Sequence, residues 1–194
     1  MSESRDLQSI ILTRMDAQAP FGDWVGIDNI ESGRLVGTHL AALGHRDVAV
    51  IAPTGTGELA DVGYRPDRAT PGVPSPSYQD DRLRGLWQTL PAGSLRVVTC
   101  ATNTRQAGRE AAARVLDAAD RPTALVALSD VVALGVLDAA RVGGLTPGQE
   151  VSVAGFDDIP DAAYTGLTTV RQPIREKGRL AGLLAMDPDY PQRQ

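Results

Sequence analysis

Short apolar runs that alternate with helix-length segments are the feature that most constrains how this chain can fold. Each run has the length and the β-branched content of a buried strand: Val48–Ala52, Leu95–Ala101, Thr123–Leu128, Val151–Ala154 and Leu167–Val170. Most of the segments between them have helical patterning. Strands that alternate with helices in this way pair in parallel through right-handed crossovers. The sequence therefore predicts an α/β fold with a mostly parallel sheet flanked by helices.

The predicted helices begin at side chains that cap helices well. Asp28 and Asn29 precede a helix that ends near Leu43, and Ser129 or Asp130 starts one that runs to Val142. Residues 53–77 are rich in proline and glycine and show no periodicity, so they predict a long mobile loop or a linker. Two further strands are predicted at residues 9–13 and 25–27.

Composition argues against several classes of function. The net charge is −5, and the 19 basic residues include no basic run, so the chain by itself is not expected to bind phosphate backbones. Cys100 is the only cysteine and is predicted to be a buried thiol on a strand, which fits a reducing compartment. No apolar run approaches the roughly 20 residues of a membrane helix. We also find no signal-peptide pattern and expect a cytoplasmic protein.

Two adjacent acids end one of the predicted strands. Asp157 and Asp158 follow Gly155 and Phe156, at the edge of a parallel sheet where α/β folds bind ligands. The acids could form an acid/base pair, but two histidines and one cysteine in the whole chain make no catalytic or metal cluster. No G-x-S-x-G motif supports a nucleophilic serine. We interpret Asp157 as a hydrogen-bond acceptor for a ligand, and Asp158 as part of a turn or a cap, and we predict no catalytic residue, metal or cofactor.

Two further features have alternative interpretations. Gly55-Thr56-Gly57 begins a G-x-G-x-x-A pattern, which in a nucleotide-binding enzyme would cradle a pyrophosphate before a helix. Prolines and Gly63 follow where that helix should be, so a flexible loop is the favoured interpretation. Arg82 lies early in a predicted helix and is either a solvated side chain near Asp80 and Asp81 or a fork that grips a ligand.

Several segments in sequence order resemble the lactose-repressor (LacI/GalR) family of transcription regulators. They are Val25-Gly26-Ile27-Asp28-Asn29, His39-Leu40-Ala41-Ala42-Leu43-Gly44-His45-Arg46, Arg82-Leu83-Arg84-Gly85, Arg121-Pro122-Thr123-Ala124, Ser129-Asp130-Val131-Val132-Ala133-Leu134-Gly135, Gly155-Phe156-Asp157-Asp158-Ile159-Pro160 and Leu167-Thr168-Thr169-Val170. The resemblance runs from about residue 25 to residue 185.

The resemblance implies a two-lobed sensor similar to periplasmic sugar-binding proteins, with a small polar effector, expected to be a sugar, between the lobes. It assigns residues 1–53 and 168–190 to the N-terminal lobe, expected to be incomplete, and residues 54–167 to the C-terminal lobe. A stand-alone sugar-binding protein of the same architecture is the alternative. The family's pattern implies an effector site made by Arg82, Asp157, Gln172, Ser129, Tyr78 and Asn103. Asn103 stands where the family carries a stacking aromatic residue.

The family also implies partners. We expect a homodimer, because lost strands would leave exposed edges and apolar surface that favour association. The helix-turn-helix and hinge helix that read an operator in this family do not occur in this sequence. The resemblance therefore implies that DNA is bound only through a segment missing from this chain, and it implies no membrane partner.

Overall fold

The computed structural model describes residues 25–54, 61–70, 73 and 77–186. These residues form six helices and six strands, in the order α1 Asn29–Ala42, β1 Val48–Pro53, β2 Asp61–Gly63, α2 Tyr78–Thr89, β3 Leu95–Cys100, α3 Arg105–Leu116, β4 Ala124–Ala127, α4 Asp130–Val142, β5 Ser152–Asp157, α5 Pro160–Thr165, β6 Thr168–Arg171 and α6 Ile174–Met186.

One sheet holds all six strands, in the order β2-β3-β1-β4-β5-β6. Strands β3, β1, β4, β5 and β6 are parallel, and β2 pairs antiparallel with β3 at one edge. The predicted α/β class with a mostly parallel sheet is confirmed. The sheet brings the carboxyl ends of its five parallel strands to a single edge, which we call the carboxyl edge.

The predicted division into lobes is wrong for the described strands. Val48–Pro53 and residues 168–171 were assigned to a lobe separate from residues 54–167, yet β1 pairs with β3 and β4, and β6 pairs with β5. Their hydrogen bonds make the two ranges one sheet. The predicted strand at residues 9–13 and the glycine pattern at residues 55–60 lie outside the described residues.

Most element boundaries follow the predicted caps. The Asp28 carboxylate accepts the backbone N–H of Glu31 at 2.8 Å to begin α1, and the Ser129 hydroxyl accepts the N–H of Val132 to begin α4. Residues 25–28 form no strand among the described residues, in contrast to the prediction. Two elements were not predicted. β2 lies within the segment predicted to be a loop or linker, and α5 is a single short turn of helix after Ile159.

Two apolar layers cover the two faces of the sheet. The alternating side chains of β1 separate them, with Val48, Val50 and Ala52 in one layer and Ala49 and Ile51 in the other. All six residues of β1 are buried, as expected for a central parallel strand. Helices α1 and α2 supply one layer, which contains Phe156 of β5, and helices α3 and α4 supply the other.

Glycines allow the helices of each layer to approach closely. A Cβ atom on Gly33 of α1 would lie 2.2 Å from the backbone oxygen of Arg82, and one on Gly135 of α4 would lie 2.0 Å from that of Arg105. Side chains at these positions would push α1 from α2 and α4 from α3. The Gly33 contact fixes the helix turn that carries Arg82, a residue of the predicted site.

None of the helices in the described part of the chain is long and apolar enough to cross a membrane.

Candidate functional site

The six residues of the predicted effector site all lie at or next to the carboxyl edge. Asn103 follows β3, Ser129 follows β4, Asp157 ends β5 and Gln172 follows β6. Tyr78 and Arg82 are in the first turns of α2, whose N-cap is the Ser77 hydroxyl. Polar groups at the ends of parallel strands are the usual place for a ligand in an α/β sheet. The structure therefore brings the predicted residues together at one edge.

Arg82 is a buried cation held in a fixed orientation. Its side chain is 3% exposed, so the interpretation as a solvated arginine is wrong. Its Nε donates to the Asn29 side chain at 3.1 Å and its Nη1 donates to the Leu128 carbonyl at 2.6 Å. The guanidinium carbon lies 4.4 Å from the centre of the Phe156 ring. These contacts use only part of the five donors of a guanidinium.

The environment of Arg82 determines its electrostatics. Burial lowers the pKa of Arg82, and the charge of Asp157 is the largest opposing influence. A desolvated guanidinium is strongly attracted to any carboxylate or hydroxyl oxygen that replaces lost water. The ring of Tyr78 lies 5.1 Å from the guanidinium carbon, on the same helix. Arg82 is therefore a preorganised donor, and Tyr78 is its aromatic neighbour.

Asp157, Gln172 and Lys177 form a chain of hydrogen bonds with Arg82 close by, and we call these four residues the Asp157 cluster. The Gln172 amide nitrogen donates to the Asp157 carboxylate at 2.5 Å, and Lys177 donates to the Gln172 amide oxygen at 3.2 Å. Burial raises the pKa of Asp157, while Arg82 and then the Gln172 hydrogen bond oppose the rise. Because Asp157 is half-buried, its carboxylate keeps acceptor capacity for a ligand.

Ser129 and Asn103 pair with each other. The Ser129 hydroxyl donates to the Asn103 amide oxygen at 2.5 Å while it also caps α4. Ser129 is buried and Asn103 is exposed, so the pair spans from the core to the surface. This bond orients the Asn103 amide, whose nitrogen can donate to a ligand.

Asp130, next to Ser129, belongs to a separate network, and we call Asp130, Ile159 and Thr169 the Asp130 cluster. The Asp130 side chain is fully buried. One carboxylate oxygen accepts the Ile159 backbone N–H at 3.0 Å, and the other accepts the Thr169 hydroxyl at 2.7 Å. Burial raises the pKa of Asp130, and these two hydrogen bonds oppose the rise. The cluster ties α4 to β6 and to the turn after β5.

The backbone between the two clusters is in an uncommon conformation. Asp157 has φ 124° and Asp158 has φ 57°, both in the region that favours glycine. The turn is held by the Asp158 backbone N–H, which donates to Thr169, and by the Gln172 N–H, which donates to the Asp157 carbonyl. Such strain costs on the order of 1–3 kcal/mol per residue and concentrates at functional sites. The turn aims the Asp157 side chain into its cluster.

Asp158 differs from Asp157 in its role. Its carboxylate accepts Nε of Arg171, so it forms an ion pair across the β5–β6 turn. It does not cap the following helix, because Ile159 is the N-cap of α5 and makes no side-chain cap bond. Of the two interpretations left open for Asp158, the structure favours a turn residue over a cap.

Sequence reasoning missed three contributors to this edge. Lys177 is the single lysine of the sequence, and its burial depends on α6 packing beside Gln172. Gln79 is buried and donates to the Pro53 carbonyl at 2.6 Å, while its own amide oxygen has no hydrogen-bond donor among the residues that the structure describes. Asn29, predicted as a cap, instead accepts from Arg82. The sequence feature that could have predicted them is a polar side chain in an otherwise apolar helix face, and this feature is a weak predictor of a binding site.

The described residues contain no group of three or more histidine, cysteine or acidic side chains that could hold a metal ion. The Cys100 thiol is buried, and burial raises its pKa to about 11, which keeps it protonated at neutral pH. The chain after residues 55–60 continues into β2, and not into the helix that a dinucleotide site requires.

A parallel α/β sheet with a polar, partly charged carboxyl edge defines a ligand-binding module. Comparison with protein families agrees, because residues 38–188 match the periplasmic binding protein-like domain. The chain belongs to this family, as the effector-binding domain of the LacI type.

Individual relatives support the same assignment. An HTH-type transcriptional regulator of Mycolicibacterium smegmatis is 34% identical over 172 residues, which cover 84% of this chain and 47% of that protein. A regulatory protein of the LacI family from Chloroflexus aggregans has a solved structure with 32% identity and a TM-score of 0.68, covering 91% of this chain and 59% of that one.

A second solved structure, a LacI-family regulator from Enterococcus faecium with bound ribose, has 25% identity and a TM-score of 0.73. It aligns over 96% of this chain and 64% of its own. The chain spans about half the length of the curated relatives it matches.

Proposed function

We propose that this chain senses a small polar effector at the carboxyl edge and performs no catalysis. The observation that carries the proposal is the Asp157 cluster, where a buried guanidinium and a half-buried carboxylate are held in place by neighbouring side chains. A fixed donor beside a fixed acceptor suits a molecule with several hydroxyl groups, because each hydroxyl both donates and accepts. The effector residues would be Arg82, Asp157, Gln172, Ser129, Tyr78 and Asn103.

We propose a sugar as the class of effector. The similar regulator from Enterococcus faecium is described with bound ribose. In this chain, Arg82 would donate to ring or hydroxyl oxygens and Asp157 would accept from a hydroxyl group. The Ser129–Asn103 pair adds an oriented amide where a stacking ring is absent.

The sensing mechanism would follow from ligand contacts on two sides. An effector bound between this edge and a second lobe would favour a closed arrangement of the two lobes. The shift would be as large as the difference between its affinities for the closed and the open arrangement. In a LacI-type regulator this difference would alter the binding of DNA by a helix-turn-helix segment and thereby transcription. We place such a regulator in the cytoplasm, where its DNA is.

We propose that the chain acts as a homodimer. Tyr164 of α5 is 89% exposed and Val142 at the end of α4 is 72% exposed. Burying such apolar side chains against a second copy of the chain would favour association. Sedimentation of the chain at increasing concentration would show a dimer, and a strictly monomeric chain at high concentration would contradict it.

The effector proposal is tested by titration calorimetry with D-ribose and a panel of other neutral sugars. Asp157→Ala should weaken the binding of the sugar that gives heat by roughly tenfold to a hundredfold, because a hydrogen bond to a charged group contributes about 1.5–3 kcal/mol. Asp161→Ala, which removes an exposed acid in α5, is the matched control and should leave affinity unchanged. Equal affinity in the Asp157 variant would contradict the site, and absence of heat with every sugar would contradict the effector class.

A further inference from the structure

Lys177 is a buried lysine in a helix that is otherwise largely exposed. It is the only lysine in the sequence, and its side chain is 6% exposed on α6, where Leu184 is the other buried residue. A buried ammonium group is costly unless it has polar partners, so its position demands an explanation in contacts. One of its polar contacts is with Gln172, a residue of the proposed effector site.

The Gln172 amide lies between a cation and an anion. Its oxygen accepts from the Lys177 ammonium at 3.2 Å, and its nitrogen donates to the Asp157 carboxylate at 2.5 Å. An amide turned the other way would place its N–H groups against the ammonium and its oxygen against the carboxylate, and both contacts would be repulsive. Lys177 and Asp157 therefore enforce the same orientation from opposite ends.

We propose that Lys177 is a positioning residue that acts through Gln172 to hold the Asp157 carboxylate in its ligand-binding orientation. The Gln172 amide and the Asp130 backbone N–H then hold the carboxylate, and its remaining acceptor capacity is presented to the effector. The inference rests on the proposed function only in the statement that this orientation serves ligand binding. The two hydrogen bonds from Lys177 to Gln172 and from Gln172 to Asp157, which we call the relay, are present in the chain without ligand.

Electrostatics at the cluster agrees with this relay. Burial lowers the pKa of Lys177, the nearby Arg82 lowers it further, and Asp157 raises it. The Lys177 charge in turn opposes the burial-driven rise in the pKa of Asp157, after larger contributions from Arg82, Gln172 and the Asp130 backbone N–H. The charged groups that face Lys177 are therefore Arg82 of α2 and Asp157 of β5. The pKa of Asp157 responds to both Lys177 and Arg82.

The test measures the pKa of Asp157 by carbon-13 NMR titration of its carboxyl group in the ligand-free chain. Lys177→Met removes the ammonium but keeps the stem, and should raise the pKa of Asp157 and loosen the Gln172 side-chain amide in relaxation measurements. Lys177→Arg keeps a charged donor and should restore both readings. Arg175→Met removes an exposed cation from the same helix and should change neither.

A double variant separates positioning from simple charge. If Lys177 acts through the amide, Lys177→Met should raise the pKa of Asp157 less in a Gln172→Met background than in the wild type. An equal rise in the two backgrounds, or an ordered Gln172 amide in Lys177→Met, would overturn the relay. Lys177→Gln serves as a second neutral variant if the methionine variant does not fold.

The same variants connect the relay to sensing. With a sugar from the panel that binds the wild type, Lys177→Met should weaken binding by about threefold or more, and Lys177→Arg should recover at least half of the loss on a logarithmic scale. If the NMR measurements give the results expected for the relay but no sugar binds the wild type or any variant, the proposed function is contradicted and the relay stands. Full affinity in Lys177→Met would overturn the link between relay and effector.

Discussion

The Asp130 and Asp157 clusters lie beside each other at the carboxyl edge, yet they use a carboxylate in different ways. Both acids are partly or fully buried, and burial raises the pKa of each. Asp130 is closed: it is fully buried, and each of its oxygens accepts a donor from another element of the sheet region. Asp157 is open: it is half-buried, and an amide, the Asp130 backbone N–H and two cations surround it.

The difference shows which acid is structural and which is available. An acid whose oxygens are both satisfied by the protein stabilises the arrangement of its donors and has little left for a ligand. An acid beside preorganised cations in a strained turn has acceptor capacity that a ligand can use. The sequence places the two acids 27 positions apart with nothing to mark this difference.

The largest loss of stability is expected when the carboxylate of the Asp130 cluster is removed. Asp130→Ala leaves the Ile159 N–H and the Thr169 hydroxyl buried without their acceptor, so we expect the free energy of unfolding to fall by about 2–4 kcal/mol. Urea unfolding followed by circular dichroism measures it. Asp138→Ala, on the same helix, removes only a surface ion pair with Arg105 and should cost no more than about 1 kcal/mol. Equal losses in the two variants would show that Asp130 is not a structural centre.

A smaller loss of stability is expected when a substitution crowds the Asp130 cluster but keeps its acid. A Cβ atom on Gly155 would lie 2.3 Å from an Asp130 oxygen and 3.2 Å from the Ala133 side chain, so Gly155→Ala should destabilise the fold by about 1–3 kcal/mol. Gly182→Ala in α6 meets open space and should stabilise the helix by about 0.5–1 kcal/mol. Thermal unfolding of both variants gives the comparison, and a neutral Gly155 variant would mean that the Asp130 carboxylate can move aside.

The smallest effect concerns the open acid and depends on pH. Because burial raises the pKa of Asp157 above its ordinary 3.8, the folded chain holds a proton that the unfolded chain releases between those two values. The contribution of this group to stability therefore rises as the pH falls through the folded value towards 3.8. Asp157→Asn should lack this gain.

Urea unfolding of the wild type and of the Asp157→Asn variant at matched pH values isolates the effect as a difference. Carboxylates that do not interact with Asp157 cancel in that difference because both chains contain them. The charge of Asp157 also raises the pKa of Asp130, so the loss of that charge changes the difference in the same direction. A difference that is constant from neutral pH down to 4, or one that changes in the opposite direction, would contradict the raised pKa of Asp157.

Local patterning was enough to predict most of the fold. Apolar runs marked the five parallel strands β1, β3, β4, β5 and β6, and capping residues marked the starts of α1 and α4, because strand burial and capping depend on neighbours within a few positions. The three-residue strand β2 carries too little pattern of its own, and its place depends on pairing with β3. The lobe boundary was misplaced because pairing between β1 and β4 joins residues far apart in sequence.

The candidate site divides in the same way. The sequence by itself determined that polar residues follow the ends of β3, β4, β5 and β6, and a parallel sheet must bring such ends to one edge. Only the tertiary structure decided what each of them does there. Packing of α2 against α1 buries Arg82, and packing of α6 beside Gln172 buries Lys177. The closed state of Asp130 needs donors from Ile159 and Thr169, because hydrogen bonding depends on distance in space and not on separation along the chain.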